Sequence, residues 1–277
     1  MNPRGRLLPS LQIALLLLPG AYVLRLALLA GPLPDWDYWT ILASVIDAQG
    51  FTSDLSAWLR PQNEHFLIVT RLIYALNVGL SGGHNVGLAL WAWAAAFAQA
   101  LLLLWLVRRT LSGAPALQLL LALTIGLLVF SPRGWHNWLM GMSGVAWITA
   151  NLCTIGALTA LYRSTLSASV PWLVASLGGG MLASTTYSTG LGVWPALLVL
   201  ALLLRLPARR LAAVVLSAAL VVAVYAALYE RPAQHPELQR SITLAGDYLL
   251  LFVGGTWSVE AAPGRLFGAA GLTLAVM

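Results

Sequence analysis

The sequence predicts an all-α polytopic membrane protein, a bundle of about seven to eight transmembrane helices with a long extracytoplasmic first loop that contains interfacial helices. Of the 277 residues, 60% are hydrophobic and 9% are charged, which leaves too little polar surface for a soluble domain. The 15 basic Lys and Arg positions are all arginine and mostly lie in short groups between apolar runs. Such grouping is typical of topology signals. We therefore expect membrane lipid, and no nucleic acid, as a partner.

The apolar runs predict the helices in order, within one module that covers residues 1–277. We expect spans at about 7–31, 86–107, 116–130, 141–162 and 211–229, with shorter helices at 171–183 and 191–206. A second outer loop occupies residues 230–265. An eighth apolar run begins at Leu266 and stops at Met277, which is typical of a chain cut short.

The first loop, residues 32–85, concentrates the acidic side chains of the chain. It holds five of the nine carboxylates, namely Asp35, Asp37, Asp47, Asp54 and Glu64. The pattern predicts short helices over 38–49 and 54–60, and a longer helix over 64–81 that has one apolar face and one polar face. A helix with these two faces lies in the membrane interface.

The charges also predict which side of the membrane each loop occupies. The turns on the side of the N-terminus contain no acidic residue and carry Arg4, Arg6, Arg108, Arg109, Arg163, Arg205, Arg209 and Arg210. All nine carboxylates and all four histidines fall on the opposite side. The positive-inside rule then predicts a cytoplasmic N-terminus and an extracytoplasmic functional face.

Asp35 and Asp37, flanked by Trp36 and Trp39, form the first candidate site. Two carboxylates at this spacing can ligate a divalent cation, Mg²⁺ or Mn²⁺, through oxygen, and one of them can act as a general base towards an acceptor hydroxyl. An interfacial aromatic cluster with solvated acids is the alternative.

Glu64 and His65, followed by Arg71, form the second candidate site. In the functional interpretation Arg71 binds a phosphate, and Glu64 or His65 transfers a proton or binds a metal. In the alternative, Glu64 and Arg71 lie two helical turns apart and form an ion pair on a solvated stripe.

Two further segments carry polar side chains on the outer side. In residues 131–138, Arg133 and His136 are candidates for contact with an anionic head group, and Trp135 and Asn137 for the substrate pocket; a turn with aromatic anchors is the alternative. The polar segment 184–190 between two short helices, with Tyr187, is expected to form the floor of a pocket. Ordinary helix-turn packing is the alternative for that segment.

The order of these parts resembles the GT-C fold membrane glycosyltransferases. The segments PLPDWDYW, PQNEHFLIVTRLIYAL, FSPRGWHNWLMG and TTYSTGLGVWP are similar to uncharacterised bacterial members of that superfamily. The resemblance implies a polyprenyl-phosphate sugar as donor and a glycan, lipid or protein as acceptor, at the extracytoplasmic face of a bacterial plasma membrane.

The resemblance also implies roles for individual residues. Asp35 or Asp37 would activate the acceptor hydroxyl, with Glu64 as a further catalytic acid or base. The donor phosphate would be bound by His65, Arg71, Arg133 and His136. Related sequences often have Arg directly after the Asn-Glu-His element, whereas this chain has Phe66.

Two other classes of function stay open from the residues alone. A transporter or flippase of a lipid-linked saccharide would need ionisable groups near the bilayer midplane on several helices. The runs at 86–107, 141–162 and 211–229 contain none. A non-catalytic membrane scaffold is the third class.

Overall fold

The computed structural model describes residues 4–229, 241–255, 258 and 260–276, and this part of the chain is predominantly helical. Five helices within it are long and apolar enough to cross a bilayer, at Leu8–Leu28, Asn85–Thr110, Pro115–Leu139, Gly141–Leu166 and Ala208–Leu228. The prediction of an all-α membrane protein is therefore confirmed. The chain separates into two compact units, residues 1–230 and 231–277, which are described in turn.

The first helix and the elements of the first loop come in the following order. They are α1 (Arg4–Leu28), α2 (Trp36–Ala43), β1 (Ile46–Asp47), β2 (Gly50–Phe51), α3 (Leu55–Leu59) and α4 (Ile68–Ser81). The helix predicted over 38–49 is wrong in its second half, because α2 ends at Ala43 and an antiparallel hairpin pairs Ile46 with Phe51. Gly50 takes a φ of +118° in the turn, which favours glycine.

The remaining helices of the first unit follow without further strands. They are α5 (Asn85–Thr110), α6 (Pro115–Val129), α7 (Trp135–Leu139), α8 (Gly141–Leu166), α9 (Val170–Thr186), α10 (Val193–Leu203) and α11 (Ala208–Leu228). Single 3₁₀ turns precede α7 and α10. α9 and α10 have 17 and 11 residues, so they rise about 26 Å and 17 Å.

Arginine side chains gather at one end of the first unit, which we call the arginine end. The Arg163 guanidinium lies 4.0 Å from the Trp172 ring centroid and 5.5 Å from that of Trp105, on α5. Arg210 on α11 donates to the backbone oxygen of Ser164 at 2.9 Å. The contact of the Arg163 guanidinium with the two indole faces ties α5, α8 and α9 together, and the Arg210 hydrogen bond ties α11 to the end of α8.

At the opposite end of the first unit, Asn85 fixes three helices. Its Nδ2 donates to the backbone oxygens of Gly31 (3.0 Å), after α1, and Leu139 (2.8 Å), at the end of α7. Its Oδ1 accepts a hydrogen bond from the backbone N–H of Gly141. A buried amide that uses both polar atoms in this way holds the helix ends in register. The acidic loop is attached at this end.

α5 and α8 pack closely because small residues lie between them. A Cβ on Gly141 would come within 2.5 Å of the Ala89 nitrogen, and a Cβ on Gly144 within 2.2 Å of the Asn137 oxygen and 2.7 Å of the Ala92 Cβ. Only glycine fits at such positions. The same helix carries Gly156, where an added Cβ would meet nothing within 4 Å.

The polar face of α4 is buried, whereas one interpretation of the sequence placed it in solvent. Its buried residues are Thr70, Arg71, Ile73, Tyr74 and Asn77. Its exposed leucines are Leu72, Leu76 and Leu80, the last at 85%. The alternative of a solvated Glu64–Arg71 stripe is wrong, because Glu64 precedes the helix and Arg71 is 1% exposed. The outward apolar face suits lipid, as expected for a helix in the interface.

The second unit contains a pair of helices, α12 (Ile242–Gly254) and α13 (Ala261–Val276). They approach closely, since a Cβ on Gly268 would meet the Leu250 oxygen at 1.9 Å. Asp247 accepts two hydrogen bonds from Arg265, which lower the pKa of the Asp247 carboxyl. α12 lies inside the segment predicted as a second outer loop, and residues 230–240 of that loop lie outside the described part.

Candidate functional site

A polar cavity of about 160 Å³ lies among α2, the turn before α4, α4 itself, α8 and the turn after α9. It is lined by Asp37, Ile41, Gln62, Asn63, His65, Leu67, Thr70, Tyr74, Met142, Ser143, Ala146, Trp147 and Tyr187. Three residues that the sequence indicated as site residues, Asp37, His65 and Tyr187, therefore meet in one place. We call this space the polar cavity.

α2 positions Asp37 at the edge of the polar cavity. The helix and the residues after it bury Tyr38, Ile41, Leu42 and Val45 at helical spacing, which fixes one face of α2 on the core. Asp37 lies beside that face in the first turn and stays exposed. A carboxylate in the first turn of a helix is stabilised by the positive end of the helix dipole.

A tight turn from Gln62 to His65 presents the imidazole to the polar cavity. The backbone groups of Gln62 and His65 exchange hydrogen bonds of 2.8 and 2.9 Å. Asn63 within the turn has a φ of +51°, a left-handed conformation that Asn tolerates better than most residues. His65 Nε2 lies 3.3 Å from Glu64 Oε1, so a carboxylate and an imidazole form a pair at the cavity wall.

Three aromatic rings follow one another along the cavity. The His65 and Tyr187 ring centroids are 4.1 Å apart with planes tilted by 31°, and the Tyr187 and Trp147 centroids are 5.1 Å apart with planes tilted by 34°. Trp147 keeps 44% of its surface exposed, although it lies in the middle of an apolar sequence run. The rings form a tilted platform that presents apolar faces beside polar groups.

The carboxylates near the polar cavity act on its two tyrosines. Burial raises the pKa of the Tyr187 hydroxyl, and the charges of Glu64 and Asp37 raise it further. Burial also raises the pKa of Tyr74 well above its usual value, with Tyr38 and then Asp37 adding to it. Both phenols therefore stay protonated, and Tyr74 donates a 3.2 Å hydrogen bond to the Met142 oxygen.

Arg71 holds the loop beside the site. Its Nη1 donates to the backbone oxygens of Trp58, at 3.0 Å, and of Arg60. Burial lowers the pKa of the Arg71 guanidinium, and the charge of the nearby Arg60 lowers it further. Since Arg71 directs Nη1 at two backbone carbonyls of the preceding segment, we assign it to positioning the α3–α4 segment and do not place it against a donor phosphate.

The polar cavity supplies part of the ligand set that a divalent cation would need. Mg²⁺ takes six oxygen ligands in octahedral geometry and usually keeps several waters, with one or two carboxylates and substrate phosphates as the others. Asp37 is the only carboxylate among the residues that line the polar cavity, and Asp35 is not one of them. Within the described ranges no group of three or more His, Cys, Asp or Glu side chains could hold a metal ion. A divalent cation at Asp35 and Asp37 therefore stays a prediction.

Several other predicted residues are not among those that line the polar cavity. Arg133, Trp135, His136 and Asn137 lie on the 3₁₀ turn and α7, and none of them is among the lining residues. The Trp135 and His136 ring centroids lie 3.6 Å apart with their planes tilted by 31°. The backbone oxygen of half-buried Asp35 accepts a hydrogen bond from Tyr38. The side chain of Trp36 lies outside the described part.

Sequence reasoning missed several cavity residues. Trp147 and Ser143 lie in an apolar run that the hydropathy pattern assigns to lipid. Tyr74 and Thr70 lie on the polar stripe of α4, and that stripe was itself a usable signal. A polar stripe on a helix whose apolar face meets lipid has to be buried against protein or line a cavity, because lipid cannot solvate it.

A second, apolar space of about 320 Å³ lies on the other side of residues 65–68 from the polar cavity. We call this space the apolar groove. It is lined by Leu59, Phe66, Ile68, Met181, Ser184, Thr185, Leu220, Val221, Val224, Tyr225 and Leu228. Tyr225 donates a 2.6 Å hydrogen bond to the Ser184 oxygen, and its ring lies 4.5 Å from that of Phe66. The groove therefore runs between α9 and α11 and ends at the loop.

Residues 65–68 form the wall shared by the two spaces. His65 and Leu67 line the polar cavity, and Phe66 and Ile68 line the apolar groove. Residues 66 and 67 precede α4, and Ile68 begins it. The adjoining Thr70 donates a 2.7 Å hydrogen bond to the Thr186 oxygen, which ties the wall to the end of α9.

Comparison of the chain with protein-family models, with curated proteins and with solved structures gave no match.

Proposed function

We propose that the chain transfers a sugar from a polyprenyl-phosphate donor to an acceptor hydroxyl at the extracytoplasmic membrane face of a bacterial cell. The observation that carries this proposal is the shared wall at residues 65–68, with a carboxylate-bearing polar cavity on one side and an apolar groove on the other. A substrate with a sugar head and a long hydrocarbon tail needs both environments within a few residues of each other. The resemblance to GT-C glycosyltransferases supports the same reaction.

In the proposed reaction the acceptor hydroxyl attacks the anomeric carbon of the donor sugar. Asp37 takes the hydroxyl proton as a new bond forms between the acceptor oxygen and that carbon. The bond from the anomeric carbon to the phosphate oxygen breaks, and its electron pair leaves with the polyprenyl phosphate. Attack from the face opposite to the leaving group inverts the configuration.

The phosphate needs a cationic partner outside the polar cavity, since none of the lining residues is Arg. Arg60 is exposed and directly follows Leu59, which lines the apolar groove. Its charge is close enough to that of Arg71 to lower the Arg71 pKa. We therefore assign the phosphate to Arg60, with the positive potential of buried Arg71 behind it. Arg133 and His136 stay predictions for the same role.

The proposed arrangement in the membrane has α9 and α10 as two further spans beside the five long helices. At about 26 Å, α9 approaches the thickness of the hydrocarbon core. The arginine end faces the cytoplasm by the positive-inside rule. The polar cavity, at the opposite end, then faces outward, where the apolar groove opens sideways to lipid.

Replacement of Asp37 tests the proposal. The full chain in lipid nanodiscs is incubated with a polyprenyl-phosphate hexose labelled in the sugar, and transfer to an alcohol acceptor is measured. Asp37→Asn is expected to lower the rate at least about 100-fold, because the general base is lost. Asp47→Asn is the matched control, since Asp47 lies exposed on β1 outside the polar cavity. Full activity of Asp37→Asn would overturn the proposed mechanism.

A further inference from the structure

Carboxylates lie at and beside the wall of the polar cavity. Asp37 lines it directly, and Glu64, paired with His65, acts together with Asp37 on Tyr187. None of the residues that line it is Arg, and the chain has no Lys. A sugar that brings a further carboxylate into this space would therefore meet the Asp37 carboxylate at a wall that contains neither Arg nor Lys.

Besides Asp37 and His65, the cavity wall carries uncharged polar groups that can both donate and accept hydrogen bonds. They are the side-chain amides of Gln62 and Asn63 and the hydroxyls of Ser143 and Tyr187. The hydroxyls of Thr70 and Tyr74 also line the cavity, but each donates to a backbone oxygen. A volume of about 160 Å³ accommodates roughly ten water-sized groups, which matches the size of one sugar ring. The set of partners suits vicinal hydroxyl groups.

The platform of Trp147, Tyr187 and His65 supplies an apolar surface against which such a ring can lie. One face of a sugar ring carries C–H groups, and aromatic faces attract the positive edges of C–H bonds. Trp147 is the exposed end of the platform, and it lines the polar cavity. The indole is therefore placed to receive the ring while its hydroxyls meet the amides.

We propose that the polar cavity is the subsite for the transferred sugar and that it selects an uncharged or amine-bearing sugar and excludes a carboxylate-bearing one. This inference rests on the proposed function and adds the class of the sugar. Trp147 acts in it as the binding platform. Asp37 contributes the charge discrimination in addition to its role as base.

Saturation-transfer NMR on the full chain in detergent tests the selection. The probes are a methyl hexoside, the corresponding methyl 2-amino-2-deoxyhexoside and the corresponding methyl hexuronoside. We expect binding of the first two, and at least about tenfold weaker binding of the uronoside at neutral pH. Asp37→Asn is expected to reduce that difference. Equal binding of the three probes, or no binding of any, would overturn the inference.

Binding of the methyl hexoside by Trp147 variants tests the role of Trp147 separately. Trp147→Ala is expected to weaken binding of the methyl hexoside about fivefold to tenfold, and Trp147→Phe to restore most of it. Trp105→Ala is the matched control, because Trp105 lies at the arginine end beside Arg163. Unchanged binding of the methyl hexoside by Trp147→Ala would overturn the role of Trp147 as a binding platform.

The two proposals fail in different ways. If the uncharged probes bind at Trp147 while Asp37→Asn leaves transfer at full rate, the proposed mechanism fails and the subsite stands. If transfer depends on Asp37 but a hexuronosyl donor is used as well as a hexosyl donor, the sugar selection fails and the proposed function stands.

Discussion

Arg71 is the residue for which the tertiary structure changes the interpretation most. Spacing alone places it on the polar face with Glu64, which is consistent with a phosphate contact or with a solvated ion pair. In the structure the side chain passes inward and its guanidinium bonds two carbonyls at the end of α3. Sequence spacing could not reveal this, because the partners are backbone atoms more than ten residues away.

Replacing Arg71 should therefore cost stability. Arg71→Met removes two part-buried hydrogen bonds from a charged group to the Trp58 and Arg60 carbonyls, and loss of a hydrogen bond to a charged group costs about 1.5–3 kcal/mol. We expect the thermal unfolding temperature in mild detergent to fall by about 5 °C or more. Arg60→Met, at an exposed position, is the control and should change the unfolding free energy by less than about 0.5 kcal/mol. Equal unfolding temperatures for Arg71→Met and the unmodified chain would contradict the structural role.

For Asp37 and His65, unlike Arg71, the structure agrees with the prediction from the sequence that they lie at one site. Their residue types and their location in an acidic loop indicated them from the sequence, and the structure brings them to one cavity with Tyr187. Asp35 differs from Asp37 because Asp35 precedes α2, whereas Asp37 lies in its first turn. The start of the helix therefore separates the two aspartates, and only Asp37 lines the polar cavity.

At the scale of elements, the long helices follow directly from hydropathy, and their packing follows from small residues. The sequence predicted spans at 86–107 and 141–162, and the structure extends these to α5 and α8. The hairpin of β1 and β2 was missed because residues 46–51 are too few for a periodic pattern. The inward polar face of α4 was missed because the periodic pattern of apolar and polar residues is the same whichever face of the helix meets protein.

Two glycines on α8 test the packing of α5 against α8. Gly144→Ala would place a Cβ 2.2 Å from the Asn137 oxygen and 2.7 Å from the Ala92 Cβ, so we expect a loss of about 1–3 kcal/mol. Gly156→Ala has open space and removes a glycine from a helix interior, so it should be neutral or stabilising by up to about 1 kcal/mol. The comparison is made by unfolding temperature in detergent. A larger loss for Gly156→Ala than for Gly144→Ala would contradict the packing.

At the scale of the whole first unit, the carboxylates lie at the end opposite the arginine end. The cationic side chains of the arginine end stack on indoles or bond carbonyls, and the five carboxylates of residues 4–229 all lie in the first loop. The sequence alone predicted this separation. It could not predict the apolar groove, because that space needs α9 and α11, distant in sequence, to end beside the shared wall at residues 65–68.

The central claim is that the apolar groove and the polar cavity together hold one lipid-linked sugar, and mass spectrometry of lipids retained by the purified full chain tests it most directly. Val224 lines the groove, whereas Val222, exposed on the same helix, does not. We expect the unmodified chain and Val222→Trp to retain polyprenyl-phosphate sugar from bacterial membranes, and Val224→Trp to lose most of it because the indole fills the groove. Retention of ordinary phospholipid alone by the unmodified chain, or undiminished polyprenyl-phosphate sugar on Val224→Trp, would contradict the account.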